Sequence, residues 1–358
     1  MNLWKKIGIG VLVIVFLLVA IGILVPSPET ETSKITGKAI GSSQLTETKE
    51  TSIEEFGKFK TIKLPDDTGN SDIYGDKVVF EGSSSGNNDI FLYDIPSGKT
   101  TQITFDNSDQ NHPRIYGNNI IWSDNRFEYG EIFSYNIISG KEKKLEIKTI
   151  KPAPEAVGFY NEILVLRGHD ENGRYVWYVY NLTSKETTRL YLDPDPTDTI
   201  GISVSQIYDY KLIGTYGDDI LVYNIPDNST QIIESSLAQS SPFMYENTIV
   251  WSDNRNGKMN NDIYAYDFST GEETHVTTQQ DTVEIKPMIY KNFVFYQKFR
   301  WDSDGYAVNE QLIIHDLSTG KEKVLSTPCT VMDKIYENKM LCRALENDSF
   351  VTYILVFE

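Results

Sequence analysis

The sequence predicts an all-β fold, a seven-bladed β-propeller, preceded by one transmembrane helix and a flexible stalk. Three observations carry this prediction. An apolar residue followed by Tyr recurs seven times at intervals of 37 to 48 residues. Each pair opens a set of strand-like segments separated by tight turns, and four strands per repeat of this length is the spacing of a propeller blade. The last repeat lacks a fourth strand, which a segment before the first repeat would supply.

The N-terminus predicts a membrane anchor. Residues 7–25 form an uninterrupted apolar run, about 28 Å long as a helix at 1.5 Å per residue, close to the thickness of a bilayer core. Lys5 and Lys6 precede it, so the positive-inside rule leaves residues 1–6 in the cytoplasm. A cleaved signal peptide is the alternative, but Pro26 follows the run without a small-residue cleavage site. We therefore expect a single-pass signal-anchor helix in the cell membrane, with the propeller on the extracellular or periplasmic side.

Residues 26–55 predict a disordered stalk. They are rich in Thr, Ser, Glu and Lys and have few aromatic residues, so they bury too little apolar surface to order themselves. The propeller then occupies residues 56–358.

The repeats supply the first two strands of each blade. The apolar-Tyr pairs are Ile73-Tyr74, Ile115-Tyr116, Phe159-Tyr160, Ile207-Tyr208, Met244-Tyr245, Ile289-Tyr290 and Ile335-Tyr336. After each pair come a polar turn and an apolar run, such as residues 119–122 and 248–251, which indicate two strands joined by a hairpin.

The third and fourth strands follow at regular positions. In the first six repeats the third ends in Tyr and a side-chain acceptor, except that His315 replaces the Tyr in the sixth repeat. The turn to the fourth strand requires a positive φ, which Gly98, Gly140, Gly271 and Gly320 supply, with Asn228 as a substitute and Lys185 as a departure. The fourth strand is more polar, as suits an edge facing water.

The two ends of the chain predict that the ring closes. Residues 354–358 align with a third strand, so the last blade lacks its outer strand, and residues 59–64 have the pattern of that missing strand. A closed ring leaves no open edge on the array. A linear stack of hairpin units would show the same period without closure.

Composition limits the partners. A formal net charge of -18, with no cluster of Lys and Arg to offset it, argues against nucleic-acid binding. We expect contact with the membrane through the N-terminal helix and an envelope protein or a glycan as partner.

One pentapeptide occurs twice, as Trp122-Ser123-Asp124-Asn125-Arg126 and as Trp251-Ser252-Asp253-Asn254-Arg255. With the Asn-Asp-Ile-Tyr string that follows the second copy, it resembles the repeat of TolB-like, or WD40-like, β-propellers over about residues 57 to 358. The resemblance implies a propeller of the membrane-anchored cell-surface type. It implies no role in the Tol system, because the α/β domain that precedes the TolB propeller is absent from this sequence.

The repeated Asp and Arg residues have two interpretations. They could form a ligand-facing charged pair at a loop mouth. The favoured interpretation is structural, with the carboxylate accepting backbone N-H groups and the guanidinium bridging to the next blade. We therefore assign Trp122, Asp124, Arg126, Trp251, Asp253 and Arg255 to the repeat structure.

No catalytic, cofactor-binding or metal-binding residues are predicted. The Asp-rich loops at residues 253–262, 302–305 and 170–173 lack the spacing of a calcium loop, and the four histidines share no metal-binding spacing. Cys329 and Cys342 both fall in the last blade, where the sequence leaves open whether they form a disulfide.

These observations lead to the expectation of a non-enzymatic protein, a membrane-anchored surface that binds or scaffolds an envelope protein or a glycan. The alternative is an anchored hydrolase or lyase that assembles its site from several blades at the channel mouth, where linear motifs would not reveal it. Clustered aromatic residues and carboxylates at that mouth would favour the alternative.

Overall fold

The computed structural model describes residues 56–83, 86–127, 130–147, 155–169, 175–190, 192, 202–235, 237–257, 260–279 and 281–358. The predicted N-terminus (1–6), transmembrane helix (7–25) and stalk (26–55), and the loop at 170–173, lie outside these residues. Within them, no helix is long and apolar enough to cross a membrane.

The described residues form seven four-stranded antiparallel sheets, as the repeat predicted. Blade 1 contains β2 (Ser71–Tyr74), β3 (Lys77–Ser83), β4 (Asn88–Asp94) and β5 (Lys99–Gln102). Blade 2 contains β6 (Gln110–Tyr116), β7 (Asn119–Asp124), β8 (Glu131–Asn136) and β9 (Lys141–Lys144). Blade 3 contains β10 (Glu155–Tyr160), β11 (Ile163–His169), β12 (Tyr175–Asn181) and β13 (Thr187–Leu190).

Blade 4 contains β14 (Ile202–Tyr208), β15 (Lys211–Tyr216), β16 (Asp219–Asn224) and β17 (Ser229–Ile233). Blade 5 contains β18 (Gln239–Tyr245), β19 (Thr248–Asp253), β20 (Asp262–Asp267) and β21 (Glu272–His275). Blade 6 contains β22 (Val283–Tyr290), β23 (Phe293–Trp301), β24 (Ala307–Asp316) and β25 (Lys321–Val324). Blade 7 contains β26 (Val331–Tyr336), β27 (Lys339–Glu346), β28 (Ser349–Phe357) and, as its outer strand, β1 (Phe59–Lys63).

The predicted closure of the ring is confirmed. β1 pairs with β28 in an antiparallel register that runs from Phe59 opposite Phe357 to Lys63 opposite Tyr353. Phe56, just before β1, is buried and stacks on Phe357 at 5.1 Å and on Phe293 of blade 6 at 4.3 Å between ring centroids. The chain segment that completes the last blade therefore also fastens it to its neighbour.

The hydrophobic core lies between adjacent blades. The second strand of each blade carries buried apolar side chains on both faces, such as Val78, Val79 and Phe80 in β3 and Ile120 and Trp122 in β7. Because each sheet is covered on both faces, these strands are continuous apolar runs.

The turns between third and fourth strands adopt the predicted geometry. The four glycines have φ between 64° and 75°, and Asn228 has a φ of 55°. Lys185, the predicted departure, has a φ of 63° at the same position of blade 3.

The first strand of each blade, here called the inner strand, lines the axis of the ring and carries a feature that the sequence analysis did not predict. In blades 2 to 7 the register between inner and second strands shifts at a β-bulge. In three of these blades the bulge contains a residue of positive φ followed by Pro, at His112, Ser241 and Lys286. A bulge re-aims the side chains that follow it, so the bulges set which residues face the axis.

The strand order gives the molecule two distinct faces. Each inner strand ends in its Tyr at one face. The opposite face, here called the mouth face, holds the connections between blades and those between second and third strands.

Candidate functional site

A cavity of about 1110 Å³ lies on the axis of the ring. All seven inner strands contribute to its wall, together with residues of the mouth face such as Thr68 and Phe350. We call it the axial cavity.

Seven tyrosines, one from the end of each inner strand, form a tyrosine ring in this cavity: Tyr74, Tyr116, Tyr160, Tyr208, Tyr245, Tyr290 and Tyr336. Five pairs of neighbouring rings contact each other, with centroids 4.4 Å apart for Tyr74 and Tyr116 and 5.0 Å apart for Tyr245 and Tyr290. Burial raises the pKa of Tyr116, Tyr245 and Tyr336, and the neighbouring tyrosines raise it further, together with Glu246 beside Tyr245 and Glu337 beside Tyr336. These hydroxyl groups therefore stay protonated at neutral pH and remain hydrogen-bond donors.

The wall of the axial cavity does not follow the sevenfold symmetry of the backbone. The residue two positions before each Tyr is charged in blades 7, 1 and 2, where it is Lys334, Asp72 and Arg114. In blades 3 to 6 the same position holds Gly158, Gln206, Phe243 and Met288. We call the three charged residues and the wall around them the charged sector.

Asp72 ties three blades together in the charged sector. Its buried carboxylate pairs with the Lys334 ammonium of blade 7 through Oδ1 and accepts the Ile115 N-H of blade 2 through Oδ2 at 2.9 Å. Gln206 makes the equivalent contact between blades 4 and 5, because its Oε1 accepts the Met244 N-H at 2.8 Å. The role of Asp72 is therefore to hold blades together and to position Lys334.

Glu81, on the second strand of blade 1, presents a buried carboxylate to the cavity. The Asn70 side-chain amide donates to both of its oxygens, at 3.0 and 3.1 Å, and the His112 N-H donates to Oε1 at 2.5 Å. Within the described part of the chain Glu81 forms no ion pair. A Cβ on Gly69 would lie 3.0 Å from Oε2, so the carboxylate is held closely on that side.

Blade 7 adds an ion pair to the cavity wall. Arg343 donates through Nε and Nη2 to the two carboxylate oxygens of Asp333 at 2.7 to 3.0 Å, and its guanidinium lies 5.2 Å from the ring centre of Phe350. Asp333 sits at the bulge between β26 and β27. Two-point pairing fixes its orientation.

Exposed apolar side chains concentrate on the mouth face. Ten large hydrophobic residues of the described chain are exposed, and only Ile138 and Val324 lie away from that face. The others are Phe105, Phe127, Tyr175, Leu237, Trp301, Tyr306, Leu345 and Phe350. The mouth face is therefore the face that exposes more apolar side chains to solvent.

The repeated Asp-Arg pairs lie outside the axial cavity. In blade 2 the fully buried Asp124 accepts the Trp122 indole N-H at 2.9 Å and the Arg126 N-H at 3.0 Å. Arg126 also donates to Glu142 on the outer strand of the same blade at 2.7 Å. The guanidinium therefore connects strands of its own blade, and the expectation that it bridges to the next blade is wrong.

Blade 5 repeats this arrangement with Trp251, Asp253, Arg255 and Glu273. Burial pushes the pKa of Asp253 upward, but hydrogen bonds from Arg255 and Trp251 outweigh burial and hold the pKa below its usual value. Asp253 is thus held by hydrogen bonds and an ion pair within its own blade and lies outside the axial cavity, which fits the structural role.

Cys329 and Cys342 form a disulfide, with Cα atoms 5.8 Å apart. Cys342 lies in β27 and Cys329 just before the inner strand of blade 7, so the bond fastens the closing blade internally. Among the described residues, no group of three or more His, Cys, Asp or Glu side chains has the arrangement of a metal site.

No protein-family model and no curated protein matches the sequence. Solved structures do match the fold. Oligogalacturonate lyase from Vibrio parahaemolyticus has a TM-score of 0.62 at 12% identity, over 84% of this chain and 96% of that chain. The β-propeller domain of the Trilobed protease from Pyrococcus furiosus, described as having an open velcro topology, has a TM-score of 0.55 at 14% identity, over 81% and 93%. Acylaminoacyl peptidase from Pyrococcus horikoshii has a TM-score of 0.53 at 14% identity, over 77% of this chain and 48% of that chain.

The expectation of a non-enzymatic binding or scaffolding surface is corrected by this comparison. Solved structures with this fold include oligogalacturonate lyase, one of them in complex with manganese, acylaminoacyl peptidase and prolyl endopeptidase. The expectation rested on the lack of linear catalytic motifs, which is a weak argument for a fold that draws its site from several blades. At 11 to 15% identity the likeness establishes the fold alone.

Proposed function

We propose that this protein is a glycan-cleaving enzyme, a hydrolase or a lyase, whose site is the axial cavity where it opens on the mouth face. One observation carries the proposal: the wall of the cavity departs from the repeat in blades 7, 1 and 2, where it holds Lys334, Asp72 and Arg114. Asp72 also holds blades together, but the uncharged Gln206 makes the equivalent contact, so packing alone does not require three charges in one sector. A substrate that approaches one side of the axis explains them.

The aromatic residues indicate the class of substrate. Sugar rings present apolar faces and hydroxyl edges, which suit tyrosine rings and protonated tyrosine hydroxyls. The tyrosine ring supplies both in the cavity, and the exposed Trp301 and Tyr306 supply further aromatic surface on the mouth face. A cavity of about 1110 Å³ accommodates a short oligosaccharide.

Two carboxylates in the cavity wall are candidates for proton transfer. Glycoside hydrolysis uses a pair of carboxylic groups, one of them to protonate the leaving oxygen, and elimination needs a base that removes a proton from carbon. Glu81 is the stronger candidate for the base because it has no cation to neutralise it among the described residues. Asp333 is oriented by Arg343 and is the candidate for the second group.

The anchor completes the proposal. The resemblance of the Trp-Ser-Asp-Asn-Arg repeats to TolB-like propellers and the apolar run at residues 7–25 support an enzyme tethered to the cell membrane and facing the extracellular or periplasmic side. The disulfide between Cys329 and Cys342 is the kind of bond that persists in such an oxidising compartment.

The experiment is a cleavage assay of the full chain in detergent micelles against defined neutral and acidic oligosaccharides. New reducing ends report cleavage by either reaction, and ultraviolet absorbance of an unsaturated product identifies a lyase. We expect Glu81→Gln to lose at least about 100-fold in rate, the range for a general acid or base.

Asp304→Asn is the matched control, since Asp304 is an exposed carboxylate on the mouth face outside the cavity wall, and its rate should not change. Absence of turnover on every substrate, or an unchanged rate in both Glu81→Gln and Asp333→Asn, would refute the proposal.

A further inference from the structure

The cations of the axial cavity differ in whether the protein supplies their counter-ions. Lys334 pairs with Asp72, and Arg343 pairs with Asp333. Arg114 and Lys286 also line the cavity, but neither forms an ion pair among the residues that the structure describes. The chain carries 51 acidic against 33 basic residues, so carboxylates are plentiful. The presence of two cations at the axis without a carboxylate partner among the described residues therefore needs an explanation.

Arg114 is half-buried, and its backbone contacts use only some of its N-H donors. Its Nη1 donates to the Pro113 carbonyl at 2.9 Å, and its Nε makes a long contact of 3.4 Å to the Val157 carbonyl of the next blade. A guanidinium has five N-H donors in a planar fork. These two backbone contacts position the group without neutralising it, and donors remain for a ligand.

Lys286 stands at the bulge of blade 6, with an exposed side chain and a φ of 52°. His112 and Ser241 share this backbone geometry at the bulges of blades 2 and 5, so the bulge itself is a repeat feature. What differs is the side chain that it carries to the cavity. Blades 2 and 6 flank blades 7 and 1 in the ring, so Arg114 and Lys286 lie on either side of the Asp72–Lys334 pair.

We infer that the axial cavity binds an anionic oligosaccharide, with Arg114 as the receptor for a carboxylate or sulfate group on one sugar and Lys286 as a second cationic contact. This inference rests on the proposed function and specifies its substrate class. The fork of Arg114 matches a planar carboxylate in a two-point contact, and such charge-assisted hydrogen bonds are stronger away from bulk water. A large polyanion such as a nucleic acid is disfavoured by the net charge of -18.

The test is calorimetric titration of the full chain in detergent micelles with three probes of equal length: an oligogalacturonate, a sulfated oligogalactoside and a neutral oligogalactoside. We expect at least one anionic probe to bind tenfold or more tightly than the neutral probe, with an affinity that falls as salt rises. Whichever anionic probe binds identifies the acid group as carboxylate or sulfate.

Arg114→Gln should weaken binding of that probe by about 10- to 100-fold, and Lys286→Gln by a smaller factor. Lys286 is exposed, so its substitution tests the inference even if Arg114→Gln misfolds. Arg300→Gln is the matched control, because Arg300 is an exposed cation near the tip of the blade 6 hairpin outside the cavity wall.

Equal binding of neutral and anionic probes, no binding of any probe, or unchanged affinity in both cavity variants would overturn the inference. The two proposals fail separately. Tight, Arg114-dependent binding without turnover refutes only the enzyme, whereas cleavage of neutral glycans that is independent of Arg114 refutes only the anionic site.

Discussion

His315 illustrates how a single residue departs from the repeat. It replaces the Tyr found at the end of the third strand in blades 1 to 5, and the ring is buried as expected for a packing residue. The structure adds a polar role, because its Nδ1 lies 3.5 Å from Oε1 of Glu322, which also accepts the Tyr296 hydroxyl. The hydrogen bond from His315 and that from Tyr296 together lower the pKa of Glu322 to about 2 against the opposing effect of burial.

This shift predicts an acid-labile contribution to stability. Because the folded-state pKa lies below the unfolded value, Glu322 stabilises the fold fully above about pH 4.5, and its contribution is lost as pH falls toward 2. Glu322→Gln should therefore reduce the melting temperature at pH 7 and narrow its gap to the wild type at pH 2.5. Thermal unfolding followed by circular dichroism at both pH values measures this.

Glu272→Gln is the control, since Glu272 is an exposed carboxylate on the outer strand of blade 5. A constant gap between wild type and Glu322→Gln across this pH range would show that the carboxylate is not linked to folding in this way.

The residues of the site were harder to predict than those of the core. The repeated Trp-Ser-Asp-Asn-Arg strings stand out in the sequence because they are contiguous. Their Asp and Arg side chains, however, form hydrogen bonds within one blade and lie outside the cavity. Arg114, Glu81 and Asp333 come from three blades, so no linear motif contains them. One signal was available: aligning the seven repeats on their Tyr shows charges two positions earlier in blades 7, 1 and 2 alone.

At the scale of the strand, one position of the second strand shows how the repeat adapts. It holds Phe80, Trp122, Leu166, Gly214, Trp251, Tyr296 and Cys342 in the seven blades. Gly214 is the exception in size, and the structure explains it. A Cβ there would lie 1.9 Å from the Ser203 carbonyl oxygen and 3.0 Å from the Val204 Cα on the inner strand.

Gly214→Ala should therefore be strongly destabilising, by about 3 kcal/mol or more, the upper end of the range for overpacked interiors. The contacts are with backbone, so no rotamer change relieves them. Gly158→Ala is the matched control, because its Cβ would meet the Ile207 Cγ2 at 2.8 Å, a side-chain atom that can move. Chemical denaturation of both variants compares them, and a loss from Gly214→Ala no greater than that from Gly158→Ala would contradict this reading of the strand.

The bulges on the inner strands mark the limit of the prediction from sequence at this scale. Alternating and apolar patterns located the strands and their turns, because those patterns reflect burial on two faces. A bulge changes the register by one residue without changing composition. Pro113, Pro242 and Pro287 were its one visible sign, since Pro inside a sheet is confined to bulges and edges.

At the scale of the whole molecule, the closure of the ring could be predicted because it is a matter of counting strands. The last repeat lacked an outer strand, and residues 59–64 had no other place. The axial cavity could not be predicted in the same way. Its volume and the positions of its charges depend on how seven inner strands meet at the axis, which the spacing of repeats does not determine.

The closure predicts that the first strand has a disproportionate effect on stability. Alternate amides of β1 point at β28, as the bonds from Glu358 N-H to the Lys58 carbonyl and from Leu64 N-H to the Thr352 carbonyl show. By this alternation the N-H of the exposed Lys60 also donates a hydrogen bond to β28. Lys60→Pro removes this hydrogen bond and kinks the strand. On the outer strand of blade 2, the Leu145 N-H donates to the Ile132 carbonyl, and by the same alternation the Lys143 N-H donates to the third strand β8.

Lys143→Pro is therefore the matched control. It removes the same kind of hydrogen bond from an outer strand that has no part in closing the ring.

We expect Lys60→Pro to lower the melting temperature by more than Lys143→Pro and to make the region around β28 sensitive to protease. Loss of β1 exposes the edge of β28 and releases Phe56 from between Phe293 and Phe357. Thermal unfolding and limited proteolysis with mapped cleavage sites measure the two effects. If both variants lose equal stability and are cut at their own strands only, the ring does not depend on its first strand for closure. If Lys60→Pro alone exposes blade 7, the cooperative unit is the closed ring, and stability at the axis, where the seven inner strands meet, depends on a segment at its rim.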